Sequence, residues 1–388
     1  MLSANCRPPS YTGAMLTGFA TSDGTARYAA RFPRLRDAGH FRRAQHVPGA
    51  GELWLPSIGL GTYLGEPTDA ADAQYEAAIA AALAAGVNLL DSAINYRHQR
   101  SERNIGAVLA RQIKSGELGR DEVVVCTKAG FLNFDGAMPA DPRGYLRREY
   151  VETGVLDPGE LAGGMHCMSP SYIANQLERS RHNLGLETID VFYVHNPESQ
   201  LGEVPREEFF DRLRRAFVFL EGAVAEGKIR WYGTATWNAF RVAPEARDFI
   251  NLADVLRAAR AAGGDRHHFR FVQLPFNLGL AEAWGRASHD AGDGAVSALE
   301  FAKREGIAIV GSATLMQGKL AGGLPEFVRR KLKTKTDAEA AIQFSRSTPG
   351  MATALIGMGT PAHVASNLAV AGMPLAAEAD WRSLFDGR

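Results

Sequence analysis

The chain has 388 residues, of which 46% are hydrophobic and 22% charged, enough apolar material for the core of a large globular protein. Lys and Arg total 43, as do Asp and Glu, so no overall charge attracts the chain to nucleic acid or to an anionic membrane. The three cysteines lack metal-ligand spacing, and no apolar run suggests a leader or a membrane span. We therefore expect a cytoplasmic protein without a metal site.

Residues 1–52 are rich in Gly, Pro and Arg and predict an irregular N-terminal arm. In residues 53–388, short apolar runs alternate with segments of helical periodicity, which is typical of βαβ units around a parallel sheet. The predicted strands are Ile58–Thr62, Val87–Asp91, Glu122–Lys128, Ile189–His195, Ile229–Ala235, Phe271–Pro275, Ile307–Ser312 and Thr353–Gly357.

The segments between these strands predict helices, the first ending at Gly86 and the second capped by Ser101. Eight strands in strict alternation with eight helices favour a single (β/α)8 TIM barrel over two domains. An open doubly wound sheet is the alternative, but "GLGTYLGEP" does not lead directly into a helix as a dinucleotide fingerprint would. The predicted helices are Asp69–Gly86, Ser101–Ile113, Ser171–Leu184, Glu207–Glu226, Glu245–Ala262, Ala295–Glu305, Asp337–Arg346 and Pro361–Ala371.

Two connections are unusually long, a loop inserted at residues 131–168 after the third strand and another at 276–294 after the sixth. Both follow strands, so both are expected on the face of the barrel where active sites form. The first could be a lid or a contact between copies of the chain, and it contains His166 and Cys167. For Cys167 we favour ordinary loop packing, because one Cys beside one His defines no catalytic geometry.

Four polar residues lie at or just beyond the ends of the second, third and fourth strands: Asp91, Tyr96, Lys128 and His195. Each alone is most simply a solvated or structural residue. Polar groups that repeatedly end buried strands at one face of a barrel instead indicate an active site.

The chain resembles the aldo-keto reductase superfamily from "SIGLGTYLGE" to about "HVASNLAVAG". "NLLDSAINYRHQRSERNIG" is similar to the family's Asp…Tyr…Ser-Glu…Gly signature, "CTKAG" to the strand with the catalytic Lys, and "YVHNPES" to the strand with the catalytic His. "FVQLPFN" and "LMQGKL" resemble the sixth strand and the loop after the seventh. The motifs occur in family order across most of the chain.

The resemblance implies a catalytic tetrad of Asp91, Tyr96, Lys128 and His195 that assists hydride transfer between NAD(P)H and an aldehyde, ketone or sugar carbonyl. Hydride addition develops negative charge on the carbonyl oxygen, which needs a proton donor. A phenol has a pKa of about 10, and a nearby Lys would lower it by stabilising the phenolate. Asp91 would hold the Lys, and His195 would orient the carbonyl.

The resemblance also implies NADP as the cofactor, with NAD possible in its place. Two departures concern the nicotinamide: Ala235-Thr236 replaces the usual Ser-Asn pair, and Ser312 replaces a stacking aromatic residue. The Arg that commonly grips the 2′-phosphate is replaced by Gly359 or His363. The cofactor residues implied by the resemblance are Thr62, Thr236, Gln273, Ser312, Gly318 and Asn367.

Two further expectations concern the substrate. Trp231 is expected to shape its pocket, and Arg97, a cation in the place of a Gly, is expected to favour an anionic or polyhydroxylated substrate. Two other functions stay open: a cofactor-sensing regulatory subunit on the same fold, or a redox-neutral enzyme with tightly bound NAD(P). A homo-oligomer is also compatible with the sequence.

Overall fold

A computed structural model describes residues 14–386, and eight parallel strands in it form a closed barrel. The strands pair in chain order, with β7 and β8 closing the barrel between β6 and β1. This closure confirms the predicted (β/α)8 barrel and excludes the open sheet. The barrel strands are β1 (Ile58–Gly61), β2 (Leu89–Asp91), β3 (Val124–Ala129), β4 (Ile189–His195), β5 (Ile229–Ala235), β6 (Phe269–Pro275), β7 (Ala308–Ser312) and β8 (Met351–Gly357).

A helix follows each strand on the outside of the barrel, and most of the helices begin at a side-chain cap. The hydroxyl of Thr68 accepts from the N–H of Ala71, and Thr336 forms a capping box with Glu339. The barrel helices are α1 (Asp69–Ala84), α2 (Arg100–Lys114), α3 (Pro170–Leu184), α4 (Arg206–Ala225), α5 (Leu252–Gly263), α6 (Ala298–Arg304), α7 (Asp337–Arg346) and α8 (Pro361–Leu368).

The predicted cap at Ser101 is wrong, because α2 begins one residue earlier. Arg97, His98 and Gln99 all have left-handed backbones, with φ of 49°, 55° and 74°. The helix therefore starts directly at Arg100, and the Ser101 hydroxyl donates instead to the carbonyl of Thr62, at 2.9 Å.

The segment before the barrel is ordered rather than irregular over much of its length. It contains the helices Ser22–Ala30 and Pro33–Asp37 and a short strand, Phe41–Arg42, that pairs with Leu55–Pro56. Its apolar residues pack on the N-terminal ends of the barrel strands and close that end of the barrel. Residues 1–13 and 387–388, including Cys6, lie outside the described residues, and the boundary at residue 52 stays a prediction.

The long loop at residues 131–168 folds into compact turns against α3. It includes the helix Pro142–Leu146, a π-helical turn at Arg147–Val151 and a small apolar cluster of its own around Tyr150. The second long connection contains the helix Glu282–Gly285 and a short two-stranded ribbon. Further helices cover residues Glu326–Leu332 and Glu378–Arg382.

Residues 14–386 contain neither a membrane-spanning helix nor a metal-binding cluster. No helix there is both long and apolar enough to cross a membrane. The same residues contain no group of three or more His, Cys, Asp or Glu side chains arranged to hold a metal ion.

Candidate active site

The barrel brings Asp91, Lys128 and Tyr96 into contact at the carboxyl ends of the strands. The Lys128 ammonium donates to Asp91 Oδ1 at 2.5 Å and to the carbonyl of Ser92 at 2.7 Å. Its third polar neighbour is the Tyr96 hydroxyl, 3.5 Å away. Asp91 and Lys128 come from adjacent strands, so their contact follows directly from the pairing of β2 with β3.

The pKa values of this group reflect both its burial and its ion pair. Burial lowers the pKa of Lys128, but the Asp91 carboxylate and the Tyr96 phenol more than offset this and raise it, so the ammonium stays charged. Burial raises the pKa of Tyr96, and the opposing effect of Lys128 is smaller. The expected lowering of the phenol pKa therefore does not occur in the protein alone, and Tyr96 is protonated at neutral pH.

His195 ends β4 and faces the same site. Its ring lies 5.9 Å from that of Tyr96 and 5.2 Å from that of Phe131, both in edge-to-face contacts. Burial, together with Lys128 and His166, holds the pKa of His195 well below its usual range. The imidazole is therefore neutral, and its Nδ1 atom is buried without a hydrogen-bond partner among the described residues.

His166, in the long loop, contacts the backbone of His195. Its Nε2 atom lies 2.7 Å from the carbonyl oxygen of His195, and its Nδ1 atom lies 3.1 Å from the side-chain nitrogen of Gln200. Burial lowers the pKa of His166 to about 4, so the ring is neutral. Gln200 Oε1 accepts a hydrogen bond from Arg212, so the Gln200 amide nitrogen donates one to His166 Nδ1. The single N–H of the neutral His166 ring is therefore at Nε2, and it donates a hydrogen bond to the carbonyl oxygen of His195.

Gly130 makes this contact possible. A Cβ atom there would lie 2.5 Å from the carbonyl oxygen of His195 and 2.7 Å from His166 Nε2. No larger residue could follow β3 without pushing the two histidines apart. The position of His166 therefore gives it a supporting contact with the backbone of His195.

A cleft of about 610 Å³ runs from the Asp91–Tyr96 site across the barrel mouth to the start of α8. Five of the six residues implied to bind cofactor line it: Thr62, Gln273, Ser312, Gly318 and Asn367.

The sixth, Thr236, is not among the described residues that line the cleft. Its backbone N–H donates instead to the carbonyl of Gln273, at 2.9 Å. The Gln273 amide nitrogen in turn donates to Asp91 Oδ2 at 2.8 Å, which leaves the Gln273 side-chain oxygen as an acceptor on the cleft side.

The loop after β7 presents unpaired polar groups to the cleft. Ala313, Met316, Gln317 and Gly318 all have positive φ, and within the described chain the backbone N–H groups of residues 314, 315 and 317 make no hydrogen bond. The Thr314 hydroxyl, also on the cleft, is buried and unpartnered. Backbone N–H groups turned outward by such conformations commonly bind phosphate. The site therefore fits the pyrophosphate of a dinucleotide.

None of the described residues that line the cleft is Lys or Arg. Near α8 its lining consists of uncharged or weakly basic groups, among them Gly359, Thr360 and His363. The Arg that commonly contacts the 2′-phosphate is thus absent from its usual position, and no other Lys or Arg among the described lining residues takes its place.

Two sequence-based expectations about the substrate are wrong. The Arg97 guanidinium turns away from the phenol and bonds Asn104 Oδ1 at 2.8 Å, the Glu66 carbonyl at 3.1 Å and the carboxylate of Asp72. Trp231 lies at the start of β5, in the apolar cluster that closes the opposite end of the barrel. The register of a strand determines which end of the barrel each of its side chains lies near. The local sequence around Trp231 does not reveal that register.

Sequence reasoning missed two residues that the structure places at the site. The ring of Tyr63 packs edge-to-face on that of Tyr96, 5.0 Å away, although Tyr63 itself is 56% exposed. The other is Thr314, described above. The signal for both is their position just beyond the ends of β1 and β7, where barrel loops carry functional residues.

The sequence model of the aldo/keto reductase family matches residues 57–324, which is more than half of the chain. The chain belongs to this family, as its motifs indicated.

Among curated relatives, the chain is 28% identical over 212 residues to an NADH-specific methylglyoxal reductase of Escherichia coli, covering 53% of this chain and 55% of that protein. It is 32% identical over 202 residues to a D-threo-aldose 1-dehydrogenase of a Pseudomonas species, covering 47% of this chain and 51% of the relative. The matches thus span about half the length of these relatives.

Solved structures share the fold over most of the chain. An aldo/keto reductase of Klebsiella pneumoniae in complex with NADP and acetate is 21% identical, with a TM-score of 0.57 over 86% of this chain and 93% of the other. A glycerol dehydrogenase of Gluconobacter oxydans is 20% identical, with a TM-score of 0.60 over 90% and 95%. At these identities the likeness concerns the fold.

Proposed function

We propose that the chain is an NAD(P)H-dependent oxidoreductase that reduces an aldehyde, ketone or sugar carbonyl, or catalyses the reverse oxidation. The observation that carries this proposal is the Lys128 ammonium, which contacts both the Asp91 carboxylate and the Tyr96 hydroxyl beside the His195 ring. The family supports it, as do relatives named as a methylglyoxal reductase and an aldose dehydrogenase and a fold relative solved with NADP.

A bound nicotinamide supplies the hydride in this proposal, because no side chain can donate one. The loop around Gly318 would hold the pyrophosphate, Asn367 the adenine, and Gln273 the carboxamide through its free oxygen. The remaining steps belong to the protein. Tyr96 donates its proton to the carbonyl oxygen, and His195 orients that oxygen from the other side.

The charge of Lys128 is used as the proton leaves Tyr96. A phenolate that forms 3.5 Å from an ammonium in a buried site is stabilised more than it would be in water. The Asp91 carboxylate accepts a hydrogen bond from the Lys128 ammonium and keeps it in position. The Gln273 amide donates to the other Asp91 oxygen and keeps the carboxylate in position. In the reduction direction, the phenol therefore keeps its proton until a carbonyl oxygen is in place to accept it.

Fluorescence titration with NADPH and NADH, followed by turnover assays on a panel of simple carbonyls and aldoses, tests the proposal. Binding of either cofactor together with turnover of at least one carbonyl is the expected result. Cofactor binding without turnover on any member of the panel would instead favour the regulatory subunit that the sequence left open.

We expect the protein to discriminate little between the two cofactors. A 2′-phosphate brings about two negative charges to a cleft whose described lining has no Lys or Arg to pair with them. The dissociation constants of NADPH and NADH should therefore agree within about tenfold. Replacement of His363, on the cleft wall, by Arg should strengthen NADPH binding by about tenfold through a charge-assisted hydrogen bond, and NADH binding should not change. An equal change in NADPH and NADH binding in the His363→Arg variant would contradict the position of residue 363 beside the 2′-phosphate.

A His166→Phe variant should lower kcat by about tenfold or more, with a smaller effect on KM. Phe keeps the ring that packs on Phe131, but it removes the hydrogen bond that fixes the backbone of His195. The loss of one buried partner also costs about 1–3 kcal/mol of unfolding free energy. His182→Phe is the matched control, because His182 also contacts a backbone carbonyl but lies on the outer helix α3. Wild-type kcat in a folded His166→Phe variant would refute the supporting role.

A small-molecule substrate follows from the proposed reaction. The cytoplasmic location, the homo-oligomer and the role of the loop at residues 131–168 stay predictions.

A further inference from the structure

A second cavity, of about 560 Å³, lies at the end of the barrel opposite the tetrad. Its walls come from several parts of the chain, among them Thr188 and the end of α4. Phe19 and Pro48 belong to the N-terminal segment, Arg230 and Trp231 to the start of β5, and residues 265–268 to the turn before β6. Since the tetrad occupies the carboxyl ends of the strands and these residues the amino ends, the core of the barrel separates the two sites.

Arg230 lies in this cavity, and no carboxylate of the described residues forms an ion pair with it. Its guanidinium carbon lies 3.7 Å from the ring centroid of Phe19 and 4.9 Å from that of Trp231. Within residues 14–386 it makes no ion pair. The carboxylate that acts on it electrostatically, Asp190, is already bonded to Arg120 and to two backbone N–H groups. Aromatic rings thus position a cation whose hydrogen-bond donors are not used by the described chain.

Arg270, on the neighbouring strand β6, is a second such cation. Its Nη1 atom donates to the carbonyl of Phe269 at 2.9 Å and faces His267 Nδ1 at 3.2 Å. Burial lowers the pKa of His267 to about 4, so the ring is neutral and accepts that hydrogen bond. These contacts fix the orientation of Arg270 and use only one of its nitrogens within the described residues. Arg266, which is exposed, adds a third positive charge at the rim.

The acidic groups near the cavity do not neutralise these three arginines. Glu221 accepts from Tyr232 at 2.9 Å and from the backbone N–H of His268 at 2.7 Å, and it pairs with the His268 ring. Asp265, at the rim, is exposed. Of the described residues that line the cavity, it is the single carboxylate against three guanidinium groups. The cavity therefore has a positive charge and an apolar aromatic wall.

We propose that this cavity binds a small aromatic or heterocyclic anion. Arg230 and Arg270 pair with its phosphate or carboxylate, and its ring lies against Phe19 and Trp231. Guanidinium groups suit these anions because their planar forks match two oxygens at once. The volume is in the range of small-molecule sites. The site is distinct from that of the proposed redox reaction, since none of the described residues that line it also lines the tetrad cleft.

Isothermal titration calorimetry with phenyl phosphate, benzoate and neutral benzyl alcohol tests the proposal on the full chain. At least one of the two anions should bind the wild type, and comparison of the two identifies the preferred acidic group. The variants Arg230→Gln and Arg270→Gln should each weaken that binding by about tenfold or more. The matched control Arg257→Gln removes an exposed charge on α5 and should leave it unchanged. Binding should also persist when NADP is present in excess, which separates this cavity from the tetrad cleft.

Arg230 also contacts Phe19, so the unfolding temperature of each variant is measured alongside binding. Arg270→Gln, on the other strand, repeats the test without removing that contact. Three results would each overturn the proposal: no binding of either anion up to about 10 mM, equal binding by both folded Arg variants and the wild type, or equal binding of benzyl alcohol and the anions.

Discussion

A Tyr96→Phe variant should lose about 10²- to 10⁴-fold in kcat for carbonyl reduction, the range that a positioned proton donor contributes. The ring that packs between Tyr63 and His195 is retained, so the shape of the site is preserved and cofactor binding should stay within about twofold of the wild type. Stopped-flow or steady-state assays give kcat, and fluorescence titration gives cofactor affinity. Retained turnover in a folded variant would refute the assigned role of the phenol.

Tyr145→Phe is the matched control for this experiment. Tyr145 is a partly buried tyrosine of the long loop that packs on Phe134, and loss of its hydroxyl should leave kcat unchanged. The pH profile gives an independent check. Because burial raises the pKa of Tyr96, the donor stays protonated and the reduction rate should be level from about pH 6 to 9. Oxidation requires the deprotonated phenol, so its rate should rise with pH over the same range.

A Lys128→Met variant should lose both turnover and stability. Without the ammonium, the phenolate of Tyr96 has no counter-charge and the Asp91 carboxylate stays buried without its partner. Breaking a buried ion pair on one side typically costs about 3–5 kcal/mol of unfolding free energy. Chemical denaturation measures that loss, and the kcat assay measures the loss of turnover.

The double variant Asp91→Asn/Lys128→Met separates the two effects. Since both charges are removed, most of the lost stability should return, whereas turnover should not. The pH dependence has a defined sign. In Lys128→Met, burial leaves the folded-state pKa of Asp91 raised, so folding favours the protonated carboxyl. The loss of unfolding free energy relative to the wild type therefore grows as pH rises through that pKa and becomes smaller toward about pH 4. A single variant as stable as the wild type at neutral pH would contradict the ion-pair assignment.

The order of strands and helices could be predicted because each element has a local signal. Apolar runs bounded by helical periodicity identified β4 and β5 with the boundaries that the structure has. The predicted strand ends and the family motifs together identified Asp91, Lys128 and His195 as polar residues near the carboxyl ends of β2, β3 and β4. Eight alternating units then leave few compact arrangements other than a closed barrel.

The sequence-based predictions for the start of α2 and for the N-terminal segment were wrong because contacts with other parts of the chain decide the conformation there. Arg97 and its two successors adopt left-handed backbones that a short sequence window disfavours, and contacts of Arg97 with Asp72 and Asn104 hold them there. The helices of the N-terminal segment are too short to be stable alone, and they form by packing on the rest of the fold, where Tyr28 and Ala29 join the main apolar core.

The sequence by itself determined the barrel, the family and the four polar residues that meet at its mouth, because those features depend on the pattern along each strand. Tertiary structure decided the rest: the support of His195 by His166, the direction of Arg97, and the cationic cavity that contains Trp231. Each of these depends on residues far apart in the chain. Their distances are set by strand register and loop packing, which no local pattern records.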